Sequence, residues 1–193
     1  EKRFPGTVAL HDVSVSFDAG RVHAVLGKNG SGKSTLMKIF SGVHRPTKGE
    51  VFLNGSKLEL NSPEAAMKEG IITVYQELSV IKDLTVAENL MIGKLPLKRK
   101  GRIDWRAVNQ KAKEILDYLR INLDIHAYVR DLTVGQQQLV EIAKAMLANP
   151  SVLILDEPTS ALSDTECENL FRVINDLKKK DIIILFISHR LQE

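Results

Sequence analysis

The sequence holds little that would place it in an oxidising compartment or inside a bilayer. Cys167 is the single cysteine among 193 residues, so an intrachain disulfide is excluded and a reducing compartment is expected. No apolar run is long enough to span a bilayer and no signal-peptide pattern is present, which reads as a soluble chain. An excess of one charge sign is missing too. The 27 basic residues stand against 24 acidic ones, a net charge of +3, too mild to argue for a nucleic-acid partner. The densest basic run, Lys94 to Arg102, has no aromatic residue interleaved. It reads as a solvated loop first, and as a contact to acidic headgroups or a partner second. Repeats and low-complexity segments are absent, and the Asn-Gly-Ser triplets at Asn29 and Asn54 carry no weight as glycosylation sites. The length suits one domain with a sizeable core.

What is present begins with "GKNGSGKST", directly after the apolar run "VHAVL". Gly27, four intervening residues and then Gly32-Lys33-Ser34 have the P-loop spacing. A buried strand is expected before the loop and a helix after it. Glycines let backbone N–H groups approach phosphate oxygens closely, and the helix start adds the positive end of its dipole. Lys33 can reach β- and γ-phosphates, and the Ser34 hydroxyl can take a place on Mg²⁺. A dinucleotide fingerprint needs a different glycine order from Gly27, Gly30 and Gly32, so NAD is disfavoured.

Further along, Asn54-Gly55 signals a tight hairpin inside "VFLNGSKLEL". Ser62-Pro63 caps a short helix that stops at Gly70, and "IITVY" is an apolar strand. From Asp83 to Pro150 the pattern is helical, with a capping box at Thr85 to Glu88. The stripes Val108-Ala112-Ile115-Leu116-Leu119 and Leu139-Ile142-Ala143-Met146-Leu147 recur at helical spacing. Two apolar strands, "VLILD" and "IIILFIS", then flank a helix on whose apolar face Cys167 is expected as a buried thiol. Apolar strands alternating with helices predict an α/β fold: a parallel sheet covered on both faces, with an inserted helical stretch over 83–150.

The strand "VLIL" delivers Asp156 and Glu157 to the carboxyl edge of the sheet. Asp156 is the candidate Mg²⁺ ligand, and Glu157 is placed to take a proton from an attacking water. "ILFISH" delivers Ser188 and His189 in the same way, with His189 a candidate for contacting the γ-phosphate. Gln76, after "IITVY", is a candidate for sensing Mg²⁺ and water.

Taken in order, "GKNGSGKST", Gln76, "LTVGQQQLVEIAKAM", "LILDEPTSAL" and "ISH" resemble the ABC-type ATPases over nearly the whole chain. Leu132 to Gln136 resembles the signature motif of that superfamily. "FPGTVAL", "YQELSVIKDLTVAEN" and "IDW" are similar to the first half of bacterial monosaccharide import ATPases, the ribose and galactose class. The resemblance implies a P-loop NTPase core with a small antiparallel β subdomain and a helical subdomain carrying the signature.

It also implies the site. ATP and Mg²⁺ would be held by Phe4 stacking on adenine, by Gly27, Asn29, Gly30, Ser31, Gly32, Lys33, Ser34 and Thr35, and by Thr133, Gly135 and Gln136 acting on the ATP of a second domain. Glu157, His189, Gln76 and Lys33 would be catalytic, and Ser34, Gln76 and Asp156 would ligate the metal. The second domain would be an identical chain or a fused second half. Closure of the pair around ATP would drive permease subunits fed by a sugar-binding protein, from the cytoplasmic face of the membrane. Strands beyond both ends are implied, so the chain is expected to be incomplete.

Two positions depart from the family pattern. Val134 stands where a glycine is common, and Ser163 where an aspartate is, with "SDTE" instead spaced as a capping box. Rival readings are an ABC ATPase of DNA repair or translation, an importer of a non-sugar substrate, and a switch that does not hydrolyse. The first would bring long coiled coils or basic arms, which this sequence lacks, and intact Glu157 and His189 argue against the last.

Overall fold

A computed structural model describes residues 1–28 and 30–188. Asn29 and His189, both candidate site residues, lie outside the described residues. Two hairpins and a parallel sheet account for the strands. β1 (Lys2–Phe4) pairs antiparallel with β2 (Thr7–Leu10), and β4 (Val51–Leu53) with β5 (Ser56–Leu58). The β4–β5 turn is the predicted one. Asn54 and Gly55 have φ of 51° and 79°, as a primed two-residue turn requires.

The main sheet has the order β3 (Val22–Leu26), β8 (Ile183–Ser188), β7 (Val152–Asp156), β6 (Ile71–Val74), all parallel. Its inner strands are apolar up to their last residues, Asp156 and Ser188, because both faces are covered. Leu153, Leu155, Ile184 and Phe186 join a core with Ile72 and Val74 of β6 and the helices α3 (Val86–Met91), α4 (Trp105–Tyr118), α5 (Val134–Met146) and α6 (Asp164–Lys178). The alternate residues Ile71, Ile154, Leu185 and Ile187 face the other way. There they meet Met37 of α1 (Lys33–Phe40), Leu60, and Ala66 of α2 (Pro63–Lys68). Each fully buried Leu or Ile contributes roughly 1.5–3 kcal/mol.

The strand before the P-loop differs from expectation. β3 alternates between exposed and half-buried residues, with Leu26 44% exposed. The physical reason is its place in the sheet: β8 covers one edge, and no described strand covers the other.

Residues 83–150 form helices, without a strand of the main sheet. The expected α4 stripe is buried throughout, from Val108 to Leu119. Capping boxes close α3 at Thr85–Glu88 and α6 at Ser163–Glu166, and Ser62 caps α2 with Pro63 as its first residue. Cys167 is only half-buried, a correction. Buried Leu170, Val173, Ile174 and Leu177 carry the inner face of α6, and Cys167 sits one turn nearer its start.

Candidate functional site

Parallel register brings the distant motifs together. Leu26, the last residue of β3, is opposite Ser188; Ile187 is opposite Asp156; Leu155 is opposite Val74. The loop starting at Gly27, the Asp156–Glu157 pair and the Tyr75–Gln76 segment therefore leave the sheet at one edge, the carboxyl end where α/β folds bind ligands. Gln76 is exposed in the bend that follows β6. A cavity of about 520 Å³ lies elsewhere: Val152, Ile183 and Ile71 in its lining begin their strands.

In the loop, Gly30 and Gly32 have φ of 80° and 94°, a region that side chains resist. Gly32 is also crowded. A Cβ there would come within 2.8 Å of the Ala9 carbonyl oxygen and of Leu10 Cδ2, so the loop packs directly on β2. Gly27 faces Ser31, whose Oγ would lie 2.6 Å from an added Cβ. The Lys33 ammonium turns back to the loop and donates to the carbonyls of Gly27 at 2.6 Å and Lys28 at 3.2 Å. Among the described residues no side chain caps α1, which starts at Lys33 with no acidic residue in its first turn. The first N–H groups of a helix lack intrahelical partners; here Ser34 is exposed and Thr35 half-buried beside it.

Asp156 is half-buried, and burial pushes its carboxyl above the usual carboxylate range. Glu157 adds to the rise, while Lys38 and Lys33 oppose it. Such a carboxylate gains from a cation beside it. Among the described residues no cluster of three His, Cys, Asp or Glu could hold a metal alone. One carboxylate and one hydroxyl suit Mg²⁺, which takes few protein ligands and completes its shell with phosphate oxygens and water. Glu157 has φ of 47°, a left-handed conformation costing about 1–2 kcal/mol. Its N–H still donates to the Ile187 carbonyl at 3.1 Å. The ladder to β8 thus continues while the backbone turns, which redirects this side chain from the strand's alternation.

Phe4 is half-buried in the β1–β2 hairpin. His44 forms a T-shaped pair with it, ring centroids 5.3 Å apart, and the Lys2 ammonium lies 5.0 Å from its centroid. At the start of α5, Thr133 and Gln136 form a capping box: Gln136 N–H donates to Thr133 Oγ1 at 3.2 Å, and Thr133 N–H to Gln136 Oε1 at 3.0 Å. The Thr-x-x-Gln spacing carried that signal in the sequence. Val134 points to solvent, 44% exposed, so a valine fits where the family often has glycine.

Sequence reasoning missed Glu166. Its Oε1 accepts from Thr133 Oγ1 at 2.6 Å and from the Gly135 N–H at 3.1 Å. Its Oε2 accepts from the Ser163 N–H at 2.9 Å and hydroxyl at 2.8 Å. These donors hold the carboxyl at about 2, with the Thr133 hydroxyl the largest cause.

A family model described as ABC transporter matches residues 10–160. A ribose import ATP-binding protein, RbsA of Rhodopirellula baltica, is 48% identical over 192 residues, covering 100% of this chain and 38% of its own length. An arabinose import ATP-binding protein, AraG of Vibrio parahaemolyticus, is 44% identical with the same coverage. The chain thus spans well under half the length of these relatives. Among solved structures, a nucleotide-free ATP-binding cassette from an ABC transporter superposes with a TM-score of 0.84 at 30% identity, over 99% of this chain and 79% of that one. A dimeric post-hydrolysis cassette bound to ADP and Pi gives 0.72 at 27% identity, over 95% and 81%. A sheet edge that gathers these motifs, and relatives that align along the entire chain, agree on one assignment: the chain belongs to the ABC transporter family.

Proposed function

We propose that this chain is the ATP-binding, ATP-hydrolysing N-terminal portion of a sugar importer's motor protein. The observation that carries this reading is the common strand edge at which the Gly27–Thr35 loop and Asp156–Glu157 meet. Backbone N–H groups of the loop and of the α1 start bind the phosphates, with Lys33 exchanging its loop carbonyls for phosphate oxygens. Ser34 and Asp156 hold Mg²⁺, which neutralises phosphate charge when bound. Glu157 accepts the proton of the attacking water, and Gln76 orients that water.

A second ATP-binding domain, identical or fused, offers its own Thr133-type signature to the γ-phosphate. The dimeric neighbour bound to ADP and Pi supports such pairing. Among the described residues no helix is long and apolar enough to cross a membrane; peripheral attachment at the cytoplasmic face, through permease subunits, follows from this reading. A groove of about 240 Å³ supports it. Met67, Tyr75 and Ile92 are exposed along this groove, between the segment after β6 and α5. The sugar reaches the permease through a separate binding protein, and ribose or arabinose is the class that the relatives' names suggest.

Two substitutions in the full-length protein test the chemistry. Lys33→Ala should weaken Mg-ATP binding in calorimetry, and unchanged affinity overturns the phosphate assignment. Glu157→Gln should keep binding and lower turnover by roughly 10²–10⁴. Hydrolysis near the wild-type rate removes Glu157 as the base.

A further inference from the structure

The Glu166 carboxylate bridges two elements that the proposed reaction uses separately. One oxygen takes the Thr133 hydroxyl and the Gly135 N–H at the start of α5; the other takes Ser163 at the start of α6, in the segment that follows Glu157. The contact is close. A Cβ on Gly135 would come within 2.5 Å of the Glu166 carboxyl carbon, so the carboxylate lies directly over that backbone.

We infer that Glu166 is a positioning residue for the trans γ-phosphate contact, holding Thr133 and Gly135 until the partner domain's phosphate displaces it. This rests on the signature role proposed above. Two anions cannot share these two donors, because like charges at hydrogen-bond distance repel. Closure of the domain pair is therefore an exchange: the carboxylate leaves Thr133 and Gly135, and phosphate oxygens take its place. Glu166 keeps the donors satisfied and aligned meanwhile, and its bonds to Ser163 give it somewhere to remain. The exchange raises the ATP concentration needed for closure. It also ties the start of α5 to the segment after Glu157, so engagement of the signature is felt where the catalytic carboxylate is placed.

Glutamine separates this role from simple helix capping. A carboxylate accepts at both oxygens, whereas an amide accepts at one end only. Glu166→Gln must give up either the Thr133–Gly135 pair or the Ser163 pair, and it loses the charge in both.

The test uses the full-length protein with Glu157→Gln, so that closed pairs accumulate. Val134→Cys is the reporter in a Cys167→Ser background, with maleimide labelling read at that peptide by mass spectrometry. Closure over the signature protects the reporter. Adding Glu166→Gln should lower the ATP concentration for half-protection about tenfold, the scale of one charge-assisted hydrogen bond. The dissociation constant of ADP, which engages the P-loop without closure, should stay unchanged. A merely structural Glu166 predicts the opposite sign: more ATP, or no change, overturns the inference. Should the glutamine variant lose helical content, Glu166→Asp replaces it. That shorter carboxylate still caps α6 but falls short of Thr133, and the same drop is expected. Protection by ATP in neither protein overturns the signature role itself. Protection in both at equal ATP overturns only the role of Glu166.

Discussion

Glu166 lies near the surface, yet its carboxyl titrates near 2 instead of near 4.5, because it accepts from Thr133, Ser163 and Gly135. The unfolded chain lacks these donors, so between the two values it binds the proton that the folded chain rejects. The stabilisation is complete above about pH 4.5 and is lost as pH falls towards about 2. Urea unfolding should accordingly show the largest gap between wild type and Glu166→Gln near neutrality, and the gap should shrink as pH is lowered through that window. A gap independent of pH would mean that the carboxylate charge contributes nothing. At this scale, sequence reading placed the Gly27 to Ser34 stretch between a strand and a helix, because its spacing lies within one segment. It failed at Glu166, whose partner Thr133 is remote in the chain. Only the packing of α5 beside α6 brings them together, and the capping-box spacing from Ser163 accounted for just half of that carboxylate's bonds.

Elements are held to one another by a few buried polar side chains as well as by apolar stripes. Asn89 of α3 is 1% exposed. It donates to the carbonyls of Ile81, Leu84 and Thr85 at 2.9, 3.3 and 3.0 Å, and accepts from the Ile81 N–H at 2.7 Å. It therefore fixes the loop that leads from Gln76 into the helical stretch. Asn89→Leu keeps the volume but orphans the Ile81 N–H, while the three carbonyls keep the backbone N–H donors of Leu84, Val129 and residue 89. Stability should fall by about 1–3 kcal/mol for that one donor left unsatisfied, read as a lower urea midpoint. An unchanged midpoint would show that the loop re-forms its bonds elsewhere. The element boundaries around this knot were readable from capping chemistry, since Thr85 and Glu88 sit at fixed offsets. The exposure of β3 was not readable. "VHAVL" looks like a buried strand, and only the sheet order places it at an edge.

At the scale of the molecule, the groove between the segment after β6 and α5 separates coupling from chemistry. Met67, 54% exposed on its rim, takes no part in the chemistry proposed for the P-loop and Glu157. Met67→Asp in the full-length importer should abolish sugar uptake into vesicles while ATP hydrolysis by the detached motor protein continues. Equal loss of both would signal unfolding, and retained uptake would exclude the groove as the permease contact. The sheet order has a further consequence, for synthesis. Among the described residues the P-loop strand β3 pairs with β8 alone, Leu26 against Ser188, so a long stretch of chain separates the two halves of that ladder. During translation the phosphate loop leaves the ribosome before β8 does and then waits, without this partner strand, until β8 emerges. Contacts between such remote segments close slowly. The proposed nucleotide site is therefore completed only after β8 is made, and a nascent chain holds the P-loop residues before it can use them.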